Sequence, residues 1–132
     1  MCLARKVDYD FAQSRNDVKV VFDRNRDALF FSREPIPSKW LGDKEFPYYS
    51  IVVVPPYRRH SLEKYASLES TDLKTIESID MLRFLENGIK IRIVESPYES
   101  YSVDTPEDVE LVEKVLKTDT LHLQLFGEPH GK

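Results

Sequence analysis

Glycine is scarce, with four in 132 residues, at positions 42, 88, 127 and 131. That spacing excludes both the G-x-G-x-x-G turn of dinucleotide-binding folds and the G-x-x-x-x-G-K-[ST] loop that wraps a triphosphate. A single cysteine, Cys2, rules out an internal disulfide framework. No apolar run approaches the ~20 residues that a helix needs to cross a bilayer. Met1–Lys6 also lacks the apolar stretch of a secretory leader. Positive charge is not in excess: 19 Lys and Arg stand against 23 Asp and Glu, a net charge of −4. The chain therefore has no general attraction to nucleic acid or to an anionic membrane. His60, His122, His130 and Cys2 show no metal-ligand spacing, and no serine, histidine and acid form a nucleophilic triad pattern. These absences predict a cytoplasmic protein with neither nucleic acid nor membrane as its partner.

What is present reads as one globular domain, 41% hydrophobic and 32% charged. Val18–Phe22 and Ala28–Phe31 flank five turn-type residues and predict a hairpin, which Pro35 and Pro37 stop. Residues 38–48 then read as a loop. Ser50–Val54 is continuous and β-branched, as in a central strand covered on both faces, and Pro55-Pro56 ends it. Ser61–Leu68 predicts a short helix. Asp72–Glu86, with Leu73, Ile76, Ile79, Leu82 and Leu85 at helical spacing, predicts a longer one. Asn87-Gly88 supplies a left-handed stop, and Ile89–Ile93 switches to a period of two. From Val103 to Lys117 a second main helix is expected, with Thr105 as cap, Pro106 in the first turn and a stripe of Val109, Val112, Val115 and Leu116. The alternation at Leu121–Leu125 predicts an edge strand, followed by a disordered 127–132.

Three ordered segments carry a resemblance. Ala28-Leu29-Phe30-Phe31-Ser32-Arg33-Glu34-Pro35-Ile36-Pro37 resembles the A-L-Y-F-S-R-x-P-I-P segment of 3-deoxy-manno-octulosonate cytidylyltransferases. Glu77-Ser78-Ile79-Asp80-Met81-Leu82-Arg83-Phe84-Leu85-Glu86-Asn87-Gly88 looks like that family's helix before its penultimate strand, and Val103–Asp108 matches its V-D-T-P-E-D motif. With Val18–Val21, the likeness runs from about Asp17 to Lys117. It implies an α/β fold: a mixed sheet with two main helices, equivalent to the second half of a nucleotide-diphosphosugar-transferase-like fold. The family's CTP loop, I-P-A-R-x-x-S-x-R-x-P-x-K, and its Q-G-D-E-P segment do not occur in this chain. Residues 1–117 therefore resemble the sugar-acid-binding and dimer-forming half alone, with 118–132 as a tail.

Carried over by position, the resemblance implies that Asp104 binds Mg²⁺ and that Arg33, Glu77 and Asp80 face the sugar acid. A hard oxygen ligand suits magnesium, and a guanidinium fork suits a carboxylate. Read from the residues alone, Asp104 is equally a cap or a turn residue. Arg33 is equally a salt-bridge partner of Glu34, and Glu77 and Asp80 a solvated helix face with Arg83. Arg58-Arg59-His60 reads as an anion contact or a basic turn. Three positions depart from the family: Ile51 and Pro55 stand where it has a His and a Tyr, and Met81 where Gln is frequent.

The function implied is transfer of CMP from CTP to 3-deoxy-manno-octulosonate or a related acidic sugar, with Mg²⁺, by an enzyme whose nucleotide-binding half lies on another segment or a separate chain. The alternative is a non-catalytic oligomerisation module. A homodimer is expected through the Val18–Phe31 hairpin and the 72–86 region, with Phe30, Phe31 and Phe84 as its apolar contacts.

Overall fold

The computed structural model describes residues 1–40, 42, 46–52, 55–101, 103 and 105–127. These form a mixed α/β structure in two compact units, Met1–Tyr98 and Glu99–Lys132. The first holds a five-stranded sheet: β1 (Cys2–Val7), β2 (Lys19–Phe22), β3 (Ala28–Ser32), β4 (Tyr48–Val52) and β5 (Ile93–Glu95), in the order β3-β2-β4-β1-β5. The predicted hairpin is β2–β3, antiparallel, with Val20 opposite Phe31. The predicted central strand is β4, antiparallel to both β2 and β1. Its expected last residues, 53–54, lie outside the described residues. β1 has no counterpart in the sequence reading. It pairs antiparallel with β4 and parallel with β5, and so makes the sheet mixed. Its best-buried residues Cys2 and Ala4 are small, Lys6 next on the same face is charged, and so is Arg5 on the opposite face, so the alternation carries little hydrophobic signal.

Three further expectations are corrected. The helix over 72–86 is two short ones, α3 (Asp72–Glu77) and α4 (Leu82–Glu86). Ser78 adopts the left-handed conformation at φ 55°, and the Ile79 N–H returns to the Lys74 carbonyl at 3.2 Å, which ends α3. The break turns Ile79, Met81, Leu82 and Phe84 into the core and leaves Ile76 80% exposed. The Glu86 carboxylate reaches back to the Leu73 and Lys74 N–H groups at 3.2 and 3.3 Å, capping the first turn of α3 from the end of α4. The strand expected over 89–93 begins only at Ile93, since Arg92 makes an isolated bridge to Asp27 instead. The edge strand expected at 121–125 is helix α6 (Thr120–Phe126), started by Asp119, whose carboxylate accepts the His122 N–H at 2.6 Å. The disorder expected over 127–132 falls largely on 128–132, outside the described residues; Gly127 closes α6.

Two more short helices belong to the first unit, α1 (Tyr9–Ala12) and α2 (Arg59–Ser67), the latter close to its expected bounds. In the second unit, α5 (Pro106–Leu116) has the expected start: Thr105 Oγ1 accepts the Asp108 N–H at 3.3 Å, and Asp108 Oδ2 accepts the Thr105 N–H at 2.8 Å. No helix among the described residues is long and apolar enough to cross a membrane.

The turn of the hairpin is tied to the approach to β5. Ala28 N–H donates to Ile91 O at 2.9 Å and Ile93 N–H to Arg26 O at 2.7 Å. Beside them Asp27, largely buried, accepts from Arg92 Nε at 2.8 Å and pairs with Lys90 at 3.3 Å. The Arg92 hydrogen bond first, and Lys90 after it, hold the Asp27 carboxyl below its ordinary value against the opposing effect of burial. A carboxyl lowered in the folded state stabilises the fold above its unfolded pKa of about 4 and stops doing so as pH falls through the folded value. In urea denaturation, native protein is expected to exceed Asp27→Asn in stability at pH 7, with the gap closing below about pH 4. A gap independent of pH would refute the ion-pair assignment.

Candidate functional site

The site is built where β3 leaves the sheet. Lys19, first residue of β2, is fully buried, and its ammonium donates to the carbonyls of Ser14 (2.6 Å), Asp17 (2.7 Å) and Arg33. A buried cation is tolerable only when its donors are satisfied, and here three acceptors match three N–H groups. Burial lowers the Lys19 pKa, with Asp17 the strongest of the acids opposing that shift. The sequence carries one signal for Lys19 and its cradle, a lysine inside the apolar run Val18–Phe22, and nothing in the pattern gives that lysine a functional role.

The structure brings Arg33 and Glu77 together. Ser32 Oγ donates to the Glu77 carboxylate, at 3.1 and 3.3 Å from its two oxygens, and the Arg33 N–H donates to Oε2 at 3.0 Å. In return the Arg33 guanidinium caps the end of α3: Nε donates to Glu77 O at 2.9 Å and Nη2 to Ser78 O at 3.3 Å. Those carbonyls lack intrahelical partners because the helix stops there, and a cation suits that end of the helix dipole. Nη1 donates to Arg15 O at 2.9 Å and Asn16 O at 3.3 Å. Four of the five guanidinium N–H donors are thus spent on carbonyls, and one on Nη2 remains. The Glu34 carboxylate pairs with Arg15 at 2.8 Å rather than with Arg33. Among the described residues the Arg33 charge has no carboxylate partner in an ion pair.

Asp80 follows the break after α3, is exposed, and lies 3.6 Å from Lys74 Nζ. Arg83 faces neither acid: its Nε donates to Glu69 O at 2.8 Å and its guanidinium lies over the Tyr65 ring. Asp104 lies outside the described residues. Among the described residues no group of three or more His, Cys, Asp or Glu side chains gathers to hold a metal. Arg58 and His60 are exposed, and Arg59 pairs with Glu63 at 2.8 Å. Cys2 is buried, and its thiol, raised to about 11 mainly by burial, stays protonated at neutral pH.

Two of the three departures share one small cleft. Pro55 and Met81 line it with Tyr57, Ser61, Phe84 and Ile91, and the Tyr57 ring stacks on Phe84 at 5.8 Å. Burial raises the Tyr57 phenol, which keeps it a neutral donor. Ile51 does not reach the cleft; it is part of the core.

The family model described as Cytidylyltransferase matches residues 4–91, a span that takes in Lys19, Arg33, Glu77 and Asp80 and ends before Asp104. The chain is 44% identical over 106 residues to the 3-deoxy-manno-octulosonate cytidylyltransferase of Solibacter usitatus, covering 80% of this chain and 42% of that protein. To the protein of the same description from Geobacter metallireducens it is 45% identical over 118 residues, covering 81% and 46%. A solved structure of CMP:2-keto-3-deoxy-manno-octonic acid synthetase complexed with CTP matches at a TM-score of 0.80 and 34% identity, covering 87% of this chain and 47% of that one. The chain spans less than half the length of these relatives.

Proposed function

The chain belongs to the cytidylyltransferase family, and from that premise we propose that it is the acceptor-sugar part of an enzyme that transfers CMP from CTP to 3-deoxy-manno-octulosonate or a related acidic sugar. Residues 1–117 are the part concerned, and the nucleotide-binding part is supplied elsewhere. One observation supports this reading: Ser32-Arg33 and Glu77-Ser78, more than 40 residues apart, are locked together by hydrogen bonds and leave the Arg33 charge without a carboxylate partner among the described residues. A guanidinium in that condition, with one N–H unspent, is suited to the carboxylate of a sugar acid. The Glu77 carboxylate, oriented by Ser32, and the exposed Asp80 are acceptors for sugar hydroxyls.

The experiment is a titration of the chain with 3-deoxy-manno-octulosonate, followed by the side-chain and amide signals of residues 32–33 and 77–80 in ¹⁵N–¹H spectra. Saturable shifts there are expected, and Arg33→Ala should weaken them by at least about tenfold, the scale for losing a hydrogen bond to a charged group. A folded chain whose signals do not move would instead favour the non-catalytic module, a reading that the apolar Pro55 and Met81 in the cleft also fit.

Magnesium is part of the proposal, with Asp104 as this chain's one carboxylate toward it. The described residues do not by themselves make a magnesium site, which takes one or two carboxylates together with substrate phosphates and water. A homodimer is proposed as well, but Phe31 and Phe84 belong to the chain's own core and are not available to it. The hairpin instead exposes Leu29. Light scattering at micromolar concentration is expected to give the mass of two chains, and 15.5 kDa throughout would refute the dimer.

A further inference from the structure

Arg33 is held by carbonyls from two directions, α3 on one side and the loop 14–17 on the other, and that loop contains no regular element to keep it in place. What gathers it is the Lys19 ammonium, which binds Ser14 O and Asp17 O at the two ends of the loop and Arg33 O at the peptide of the arginine itself. Arg15 O and Asn16 O, which take Nη1 of Arg33, lie between those two anchored residues. Lys19 is itself held in register, because it pairs with Ser32 on β3 and with Ser50 on β4. A backbone cradle and a side-chain cradle around one arginine therefore share a single buried cation.

We propose that Lys19 is a positioning residue for Arg33: by closing the 14–17 loop onto the Arg33 peptide, it presents the guanidinium's remaining N–H to the carboxylate of an acidic sugar. The sugar half of this statement rests on the function proposed above, whereas the positioning half does not. Lys19 touches no ligand in this arrangement. Its effect passes through the loop carbonyls, so losing it should loosen Arg33 before it unfolds the sheet.

The test follows the exchange of the Arg33 Nε–H in ¹⁵N–¹H spectra of the whole chain. In the native protein this proton is expected to exchange at least about tenfold more slowly than that of Arg59, whose Nε–H donates to Glu63 in an exposed ion pair. Equal rates would overturn the proposal before any variant is made. Lys19→Met, which keeps the unbranched stem and removes the ammonium donors, should speed Arg33 exchange by about ten- to a hundredfold while the β1, β4 and β5 amides keep their positions. Lys19→Arg keeps a cation but spreads it over a planar fork that cannot converge on three carbonyls; it should give intermediate exchange, and it stands in where Lys19→Met fails to fold. A folded Lys19 variant with unchanged Arg33 exchange refutes the positioning role. Titration with 3-deoxy-manno-octulosonate separates the two halves. Weakened binding in Lys19→Met, with no further loss when Arg33→Ala is added, supports the whole. Lys19-dependent exchange without any sugar binding in the native chain removes the sugar reading and leaves the positioning intact.

Discussion

Given CTP, magnesium and 3-deoxy-manno-octulosonate, this chain by itself is expected to release no pyrophosphate above a protein-free control. Nucleotidyl transfer draws its rate from positioned charge on the phosphates and from aligned reactants, with little covalent work by side chains. The chain offers neither a glycine-rich cradle for a triphosphate nor, among its described residues, a cluster of carboxylates for a metal. Its Arg33 and Glu77 are committed to holding β3 against α3, on the side proposed for the sugar. Supplying the nucleotide-binding half of a relative should restore release. In that reconstituted enzyme Asp104→Asn should lower activity on the order of a hundredfold or more, the scale of losing one preorganised electrostatic contact, while the fold keeps its stability because Thr105 and Asp108 provide the capping box of α5. Release by the isolated chain that disappears in Asp104→Asn would overturn this division of labour.

How much of this was legible in the sequence differs by element, for physical reasons. The β2–β3 hairpin and the start of α5 are local structures: two β-branched and aromatic runs around turn residues, and a Thr-Pro-Glu-Asp start, specify them without help from the rest of the chain. The break at Ser78 is a tertiary effect. Leu73, Ile76, Ile79 and Leu82 have the spacing of one helix, but Arg33 holds the Glu77 and Ser78 carbonyls, and turning the chain there buries Ile79, Met81 and Leu82 while giving up Ile76. At Leu121–Leu125 the leucines fit a period of two and also an i, i+4 pair, and the Asp119 cap decides for the helix. Of the site, the resemblance points to Arg33 and Glu77, but their mutual contacts depend on residues 44 positions apart and no periodicity shows them. Lys19 was hidden for the opposite reason: strand patterning gives no hint that an ammonium can be buried when three carbonyls converge on it.

Phe31→Ala is expected to cost about 3–5 kcal/mol, the range for removing a buried aromatic ring and leaving a cavity. Phe31 lies on β3 opposite Val20, has no exposed surface, and packs in the core cluster with Ile51, Leu82 and Phe84. Domains of this size hold together by about 5–15 kcal/mol in all, so the loss would take about a fifth of the margin at the least and most of it at the low end. Two residues earlier on the same strand, Leu29 is 63% exposed, and Leu29→Ala should change stability by no more than about 0.5 kcal/mol. Urea denaturation of the two variants checks the contrast, with the slope unchanged and only the midpoint of Phe31→Ala displaced. Because Ser32 and Arg33 follow Phe31 directly, loosening this anchor should also release Arg33 from Glu77, and the Arg33 Nε–H should exchange faster even where the variant remains folded. Equal costs at Phe31 and Leu29 would mean that β3 does not face the core as described, and the route from that strand to the site would fall with it.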